Sequence, residues 1–164
     1  FPIHHLDSSE VELLHLFNSN FGEGVSCILY DEIRTKRGLA YEVFSEIKKE
    51  RGIKLFNIFC STSRENIGEV VKVVKEQIDS IKVKGLSCST EALKTADSRL
   101  KLKRELALEK SIELCKKLTT YELMFGAAEE AFEECMVSNT ISAERIEAVV
   151  SKVFNQGPTI FVLR

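Results

Sequence analysis

Apolar residues at Val11, Leu13, Leu14, Leu16, Phe17 and Phe21 form a broad stripe at three- and four-residue spacing, which predicts an amphipathic helix. Its start is marked near Asp7. Asp7 and Glu10 have capping-box spacing, and Leu6 and Val11 sit where a hydrophobic staple would close. Gly22 and Gly24 break the pattern. Ser26 then caps a shorter helix that carries Ile28, Leu29 and Ile33 inward, and Gly38 stops it. Beyond it the period becomes alternating. Tyr41 to Lys49 and Ile53 to Thr62 read as two antiparallel strands joined by a three-residue loop, Glu50-Arg51-Gly52, with glycine at the left-handed position. That loop sets Val43 opposite Phe59, Ser45 opposite Asn57 and Ile47 opposite Leu55, with Phe44 facing Ile58 and Glu46 facing Phe56. Both faces of the hairpin carry apolar groups, so both are expected to be covered at least in part, and the pattern does not choose between them.

Thr62 and Glu65 offer a second capping box, opening a helix through Val70, Val71, Val74, Ile78 and Ile81 that ends before Gly85. Ser89 or Thr90 opens a long helical region with Leu93, Ala96, Leu100, Leu106 and Leu108 among its apolar positions. A break is expected around Leu118 to Thr120, with helix resuming from Tyr121 to Cys135. Ser142 caps a last helix carrying Ile146, Val149, Val150 and Phe154. Gly157-Pro158 ends it, and the β-branched run Thr159 to Leu163 reads as a final strand. The order is helix, helix, hairpin, several helices, strand. It predicts an α+β fold, an antiparallel sheet with helices packed on it in two layers.

The 164 residues are read as one domain, 1–164, with enough apolar content to bury a core. The chain opens on Phe1 rather than methionine, and is expected to be a fragment of a longer polypeptide. A net charge of −2 argues against a dedicated nucleic-acid binder. No apolar run reaches the length that spans a bilayer, so neither nucleic acid nor membrane is expected as a partner. The cysteines, Cys27, Cys60, Cys88, Cys115 and Cys135, are scattered and form no C-x-x-C pair. They are read as small buried hydrophobes in a reducing compartment, favouring a cytoplasmic location.

Little conventional catalytic chemistry is legible. There is no H-E-x-x-H and no H-x-x-E-H, and the histidines are His4, His5 and His15, a poor basis for the three ligands of a catalytic zinc. No metal or other cofactor is expected in this chain. Gly22-x-Gly24 follows a helix where a phosphate loop would follow a strand. Lys101-Leu102-Lys103-Arg104 is most simply a solvated helix face. Arg34 and Tyr41 remain, seven residues apart on either side of the Gly38 stop. A fixed cation and a phenol converging there could bind a peptide carbonyl, or the oxyanion formed when it is attacked. Spacing alone equally fits an arginine complementing the helix dipole and a tyrosine packing at a strand end.

The segment Ile33 to Phe44, Ile-Arg-Thr-Lys-Arg-Gly-Leu-Ala-Tyr-Glu-Val-Phe, resembles the second-domain signature of the pitrilysin/insulinase zinc peptidases, the family that includes the mitochondrial processing peptidase. Leu13 to Ile28 is similar to the helix and glycine-rich bend before that signature, and Ile141 to Leu163 to the family's closing helix and strand. The resemblance implies a processing-peptidase-like domain missing its leading strands, with an open sheet edge or one filled by a neighbouring chain. It implies a metal-free, non-catalytic half in which Arg34 and Tyr41 engage substrate. Zinc would belong to a homologous domain or subunit, so the expected partners are that zinc-bearing domain and a peptide substrate, and self-association into a homo-oligomer is compatible with it. This chain alone would then be an inactive part of a zinc endopeptidase. The alternative is a degenerate subunit that serves as an assembly or scaffolding module.

Overall fold

Helix α1 spans Ser8–Phe21 and begins as its cap residues dictate. The Asp7 carboxylate accepts from the Glu10 backbone N–H at 2.8 Å, and the Glu10 side chain accepts from the Asp7 N–H at 3.1 Å. The computed structural model describes residues 1–85, 90–133 and 142–163. Within them a π-helical segment, Tyr30–Thr35, is followed by strands β1, Ala40–Glu50, and β2, Ile53–Thr62. Helices α2 (Ile67–Lys84), α3 (Thr90–Glu109), α4 (Ser111–Phe125), α5 (Glu130–Glu133) and α6 (Ala143–Phe154) complete the described chain. The architecture is α+β, with one antiparallel pair of strands and helices on it.

The strands pair one residue away from the expected register. Glu50 lies opposite Ile53, so the loop is the two residues Arg51-Gly52, with Gly52 at φ +77°. Val43 therefore faces Cys60, Ser45 faces Ile58 and Ile47 faces Phe56. A one-residue slip exchanges the faces of one strand relative to the other, and this register puts Val43, Ile47, Phe56, Ile58 and Cys60 on one side. Phe56 is fully buried and Val43 nearly so, while Phe44 and Phe59 stack on each other on the opposite face, 5.0 Å between centroids.

Helices α1 and α6 cover the inner face. Phe17, Phe21, Phe56 and Phe154 meet there with ring centroids 4.9 to 6.3 Å apart, offset and edge-on geometries that add to the area buried. Helix α6 starts at its expected cap, the Ser142 hydroxyl accepting from the Arg145 N–H. It buries Ile146, Val149, Val150, Val153 and Phe154.

Both sheet edges are partly occupied from within. Phe1 to Ile3 lies along β2: Ile3 N–H donates to Lys54 O at 2.9 Å, and Phe56 N–H donates to Phe1 O at 2.8 Å. The edge expected to be open or filled by a neighbouring chain is covered at that place by the chain's own residues 1–3. On the other edge Ser45 N–H donates to Gly22 O at 2.9 Å. Residues 159–163 form no strand, although their composition predicts one, and Ile160 to Leu163 are exposed. β-Propensity describes a fit to a neighbouring strand, and no described strand edge runs beside them.

Other expectations also shift. Thr62 does not cap α2; its hydroxyl donates to Leu39 O, and a 3-10 turn at Arg64–Asn66 leads into the helix. The helical break falls at Lys110, not at Leu118 to Thr120. Helix does not run on from Tyr121 to Cys135: α4 ends at Gly126 in the left-handed conformation, and residues 134–141 lie outside the described chain, as does Ser89. Ile28 is exposed rather than inward. The basic run on α3 is not simply solvated: Arg104 pairs with Glu12 of α1 at 2.6 Å, with both side chains largely covered, and Lys103 pairs with Glu23. Among the described residues no helix is long and apolar enough to cross a membrane.

Of the described cysteines, Cys27 is buried, Cys60 half-buried and Cys115 exposed, so burial does not hold for all of them; Cys88 and Cys135 lie outside the described residues. Burial pushes the Cys60 thiol up to about 11. At pH 8 only about one Cys60 in a thousand is then thiolate, the reactive form. Among the three described cysteines, alkylation mapped by mass spectrometry at pH 8 is expected to label Cys115 first, with Cys27 and Cys60 reacting only as denaturant opens the core. Early labelling of Cys60 would contradict this packing.

Candidate functional site

The turn between the π-helical segment and β1 is assembled from two local irregularities. Tyr30–Thr35 is wound with one extra residue per turn, as in Lys36 N–H donating to Asp31 O at 2.9 Å. At its end Gly38 N–H donates to Arg34 O and Leu39 N–H to Ile33 O. In an ordinary Schellman stop these two bonds span about three and five residues; here each spans one more. Gly38 supplies the left-handed conformation at φ +61°, with no Cβ to oppose it.

The second irregularity is a β-bulge. Ala40 pairs with Thr62 and Glu42 with Ser61, leaving Tyr41 as the extra residue on β1. A bulge re-aims a side chain, and Tyr41 stands 80% exposed where the neighbouring Ala40 and Val43 are buried. Thr62 Oγ1 and Asn66 Nδ2 both donate to the Leu39 carbonyl, at 2.5 and 3.5 Å, bracing the turn against the end of β2.

Arg34 and Tyr41 meet across this turn. The Arg34 Cζ lies 5.0 Å from the Tyr41 ring centroid, and also 5.0 Å from that of Tyr30. The cation sits between two aromatic rings, each worth about 0.5–1 kcal/mol at an accessible site. Its neighbours are disposed differently. Lys36 pairs with Glu32 at 2.5 Å and Asp31 at 2.9 Å, and Arg37 pairs with Glu32 at 2.5 Å. Hydrogen bonds from Lys36, then Arg37, hold the Glu32 carboxyl below its usual range. Arg34 has no ion pair among the described residues. The three cations at the helix end are thus sorted: two are neutralised by carboxylates, and Arg34 is left for something else.

Arg34 and Tyr41 line an open cleft of about 540 Å³, together with Leu39, Ser61, Thr62 and Asn66. A guanidinium, a phenol and neutral hydroxyls can take up a hydrogen-bond acceptor such as a carbonyl, but they offer neither a nucleophile with a paired base nor a soft metal site. The histidines do not converge here. His5 lies against Gln156, 2.8 Å from its amide nitrogen, and among the described residues no group of three or more His, Cys, Asp or Glu could hold a metal ion. Sequence reading singled out Arg34 and Tyr41 and missed Tyr30. The available signal was the Tyr30–Arg34 spacing, i to i+4 on one helical face.

Residues 1–94 match the family model described as the peptidase M16 inactive domain. That is more than half of the chain. The chain belongs to this family. The M16 inactive domain is what the segment from Ile33 to Phe44 pointed to, and its fold recurs in solved structures. A peptidase M16 inactive domain from Pseudomonas fluorescens superposes with a TM-score of 0.68 at 23% identity, over 94% of this chain and 36% of that one. A protease from Helicobacter pylori does so with a TM-score of 0.68 at 18% identity, over 90% and 35%. Among curated sequences, an uncharacterized zinc protease of Streptomyces coelicolor is 24% identical over 148 residues, 90% of this chain and 32% of that protein. The chain spans about a third of the length of the curated relatives it matches.

Proposed function

We propose that this M16 inactive domain, taken as residues 1–164, engages peptide substrate for a zinc centre carried by a homologous partner domain, with Arg34 and Tyr41 as the groups that touch the substrate. The observation that carries this reading is the convergence of an arginine without an ion pair among the described residues and an outward-turned tyrosine on one open cleft. The relatives named as zinc proteases support the placement of the metal, and they are about three times longer than this chain. Arg34 donates N–H groups and Tyr41 its hydroxyl to a peptide carbonyl, orienting it and stabilising negative charge that develops on its oxygen. Zinc, when held by the partner, would supply Lewis-acid polarisation.

In the peptidase assembled with its zinc-bearing domain, Arg34→Ala is expected to lower kcat/KM by about 10²-fold, the scale of losing a transition-state donor. Tyr41→Phe, which removes only the hydroxyl, is expected to lower it about tenfold, with zinc content unchanged in both. Steady-state kinetics on a quenched fluorescent peptide, with metal analysis, makes the comparison. Wild-type turnover in both variants would remove these residues from substrate engagement and leave the scaffolding role.

A further inference from the structure

We infer that Tyr30 is a positioning residue of this site, fixing the Arg34 guanidinium in place for the substrate carbonyl. The inference rests on Arg34 and Tyr41 being the substrate groups and extends that reading by one residue. The two rings around Arg34 lie at the same distance, 5.0 Å, yet they are held differently. Tyr41 is at a bulge and 80% exposed. Tyr30 is half-buried, packed against the hydrophobic core, and its backbone N–H donates to Cys27 Sγ at 3.4 Å. Tyr30 is therefore the fixed wall of the pair, and Tyr41 the wall that can adjust to a ligand.

The manner of holding matters for function. A carboxylate that anchored Arg34 would occupy its N–H donors, as Glu32 occupies those of Lys36 and Arg37. An aromatic face attracts the cation through the ring quadrupole and takes up no donor. Arg34 is thus restrained while its hydrogen-bonding capacity stays available to the cleft, and the side-chain entropy cost of binding is reduced beforehand. The four-residue spacing of Tyr30 and Arg34 provides this restraint from within one element. It does not depend on how substrate or a partner domain approaches.

Two measurements test the inference, one of them independent of activity. In this chain the Arg34 δ-methylene protons are expected to resonate upfield from ring currents. That shift should persist in Tyr30→Phe and shrink in Tyr30→Leu, or in Tyr30→Met should the leucine variant not fold. In the assembled peptidase, Tyr30→Leu is expected to lower kcat/KM about two- to fivefold and Tyr30→Phe less than about twofold. Tyr30→Leu placed on Arg34→Ala should add nothing, because Tyr30 acts through Arg34. Losses that multiply in the double variant would mark a packing role and overturn the inference, as would an Arg34 resonance indifferent to Tyr30. Should Arg34→Ala itself leave turnover unchanged, the substrate reading fails and the catalytic part of the inference with it. The ring-current shift then still reports whether Tyr30 holds Arg34, so the two failures are distinguishable.

Discussion

Replacing Gly22 with alanine is expected to be among the most damaging single changes in this domain, costing about 3 kcal/mol or more of a total that is typically 5–15 kcal/mol. The reason is space, not a left-handed backbone, since Gly22 has a negative φ of −146°. A Cβ there would lie 1.9 Å from Ser45 Oγ, 2.7 Å from Ser45 Cβ and 2.8 Å from Ser45 N. The last is backbone of β1 and cannot rotate away. Ser45 is moreover tied down: its hydroxyl donates to Asn18 Oδ1 at 2.5 Å, and Asn18 Nδ2 donates to its carbonyl at 3.1 Å, with both residues buried. Moving Ser45 would strand those polar atoms away from water, and each buried unpaired group costs about 1–3 kcal/mol. Urea unfolding followed by circular dichroism reads the loss directly. Ser45→Gly in the same chain removes two of the three contacts and is expected to recover part of it, whereas a Gly22→Ala midpoint equal to wild type would contradict the close approach.

Phe154→Ala is expected to cost about 3–5 kcal/mol, the usual range for deleting a buried aromatic ring. Phe154 is 2% exposed and touches Phe1, Phe17, Phe21 and Phe56, at centroid distances of 5.1, 5.9, 6.0 and 5.8 Å. It is the point where α6, the last described helix, meets α1 and the inner face of the sheet. The rings around it are interlocked, so little collapse into the vacated volume is available, which places the cost toward the upper end. Phe154→Leu keeps most of the apolar volume and is expected to cost only about 1–2 kcal/mol. The urea midpoints of the two variants should differ accordingly; equal midpoints would mean that the site repacks.

What could be read from sequence was local. The Asp7–Glu10 and Ser142 caps, the Gly38 stop and the apolar stripes of α1 and α6 depend on residues a few positions apart, and they appear as expected. Misreadings arose where a distant partner decided the outcome. Thr62 had the spacing of a cap, but the Leu39 carbonyl, 23 residues away, took its hydroxyl. Thr159 to Leu163 had the composition of a strand without a described edge to join. The hairpin register turned on one loop residue, Glu50, which pairs with Ile53 instead of bridging the strands. The break at Lys110 has no glycine or proline to mark it, while Thr119 and Thr120 are accommodated on an exposed helical face. In the site, the residue types Arg34 and Tyr41 were legible. The bulge that turns Tyr41 outward and the ring of Tyr30 behind Arg34 were not, because both are properties of pairing and packing.

The two irregularities flanking Gly38 give the interval from Arg34 to Tyr41 a meaning beyond its two end letters. One residue is accommodated as extra winding before the turn and another as an unpaired position after it. A chain shortened by one residue there would bring a different side chain opposite Arg34, unless its strand also lost the bulge. Gly38 apart, the site should accordingly tolerate many substitutions between Thr35 and Ala40 but few insertions or deletions. Conserved length across this turn, more than conserved lettering within it, is the mark by which other chains carrying the same pair can be sought.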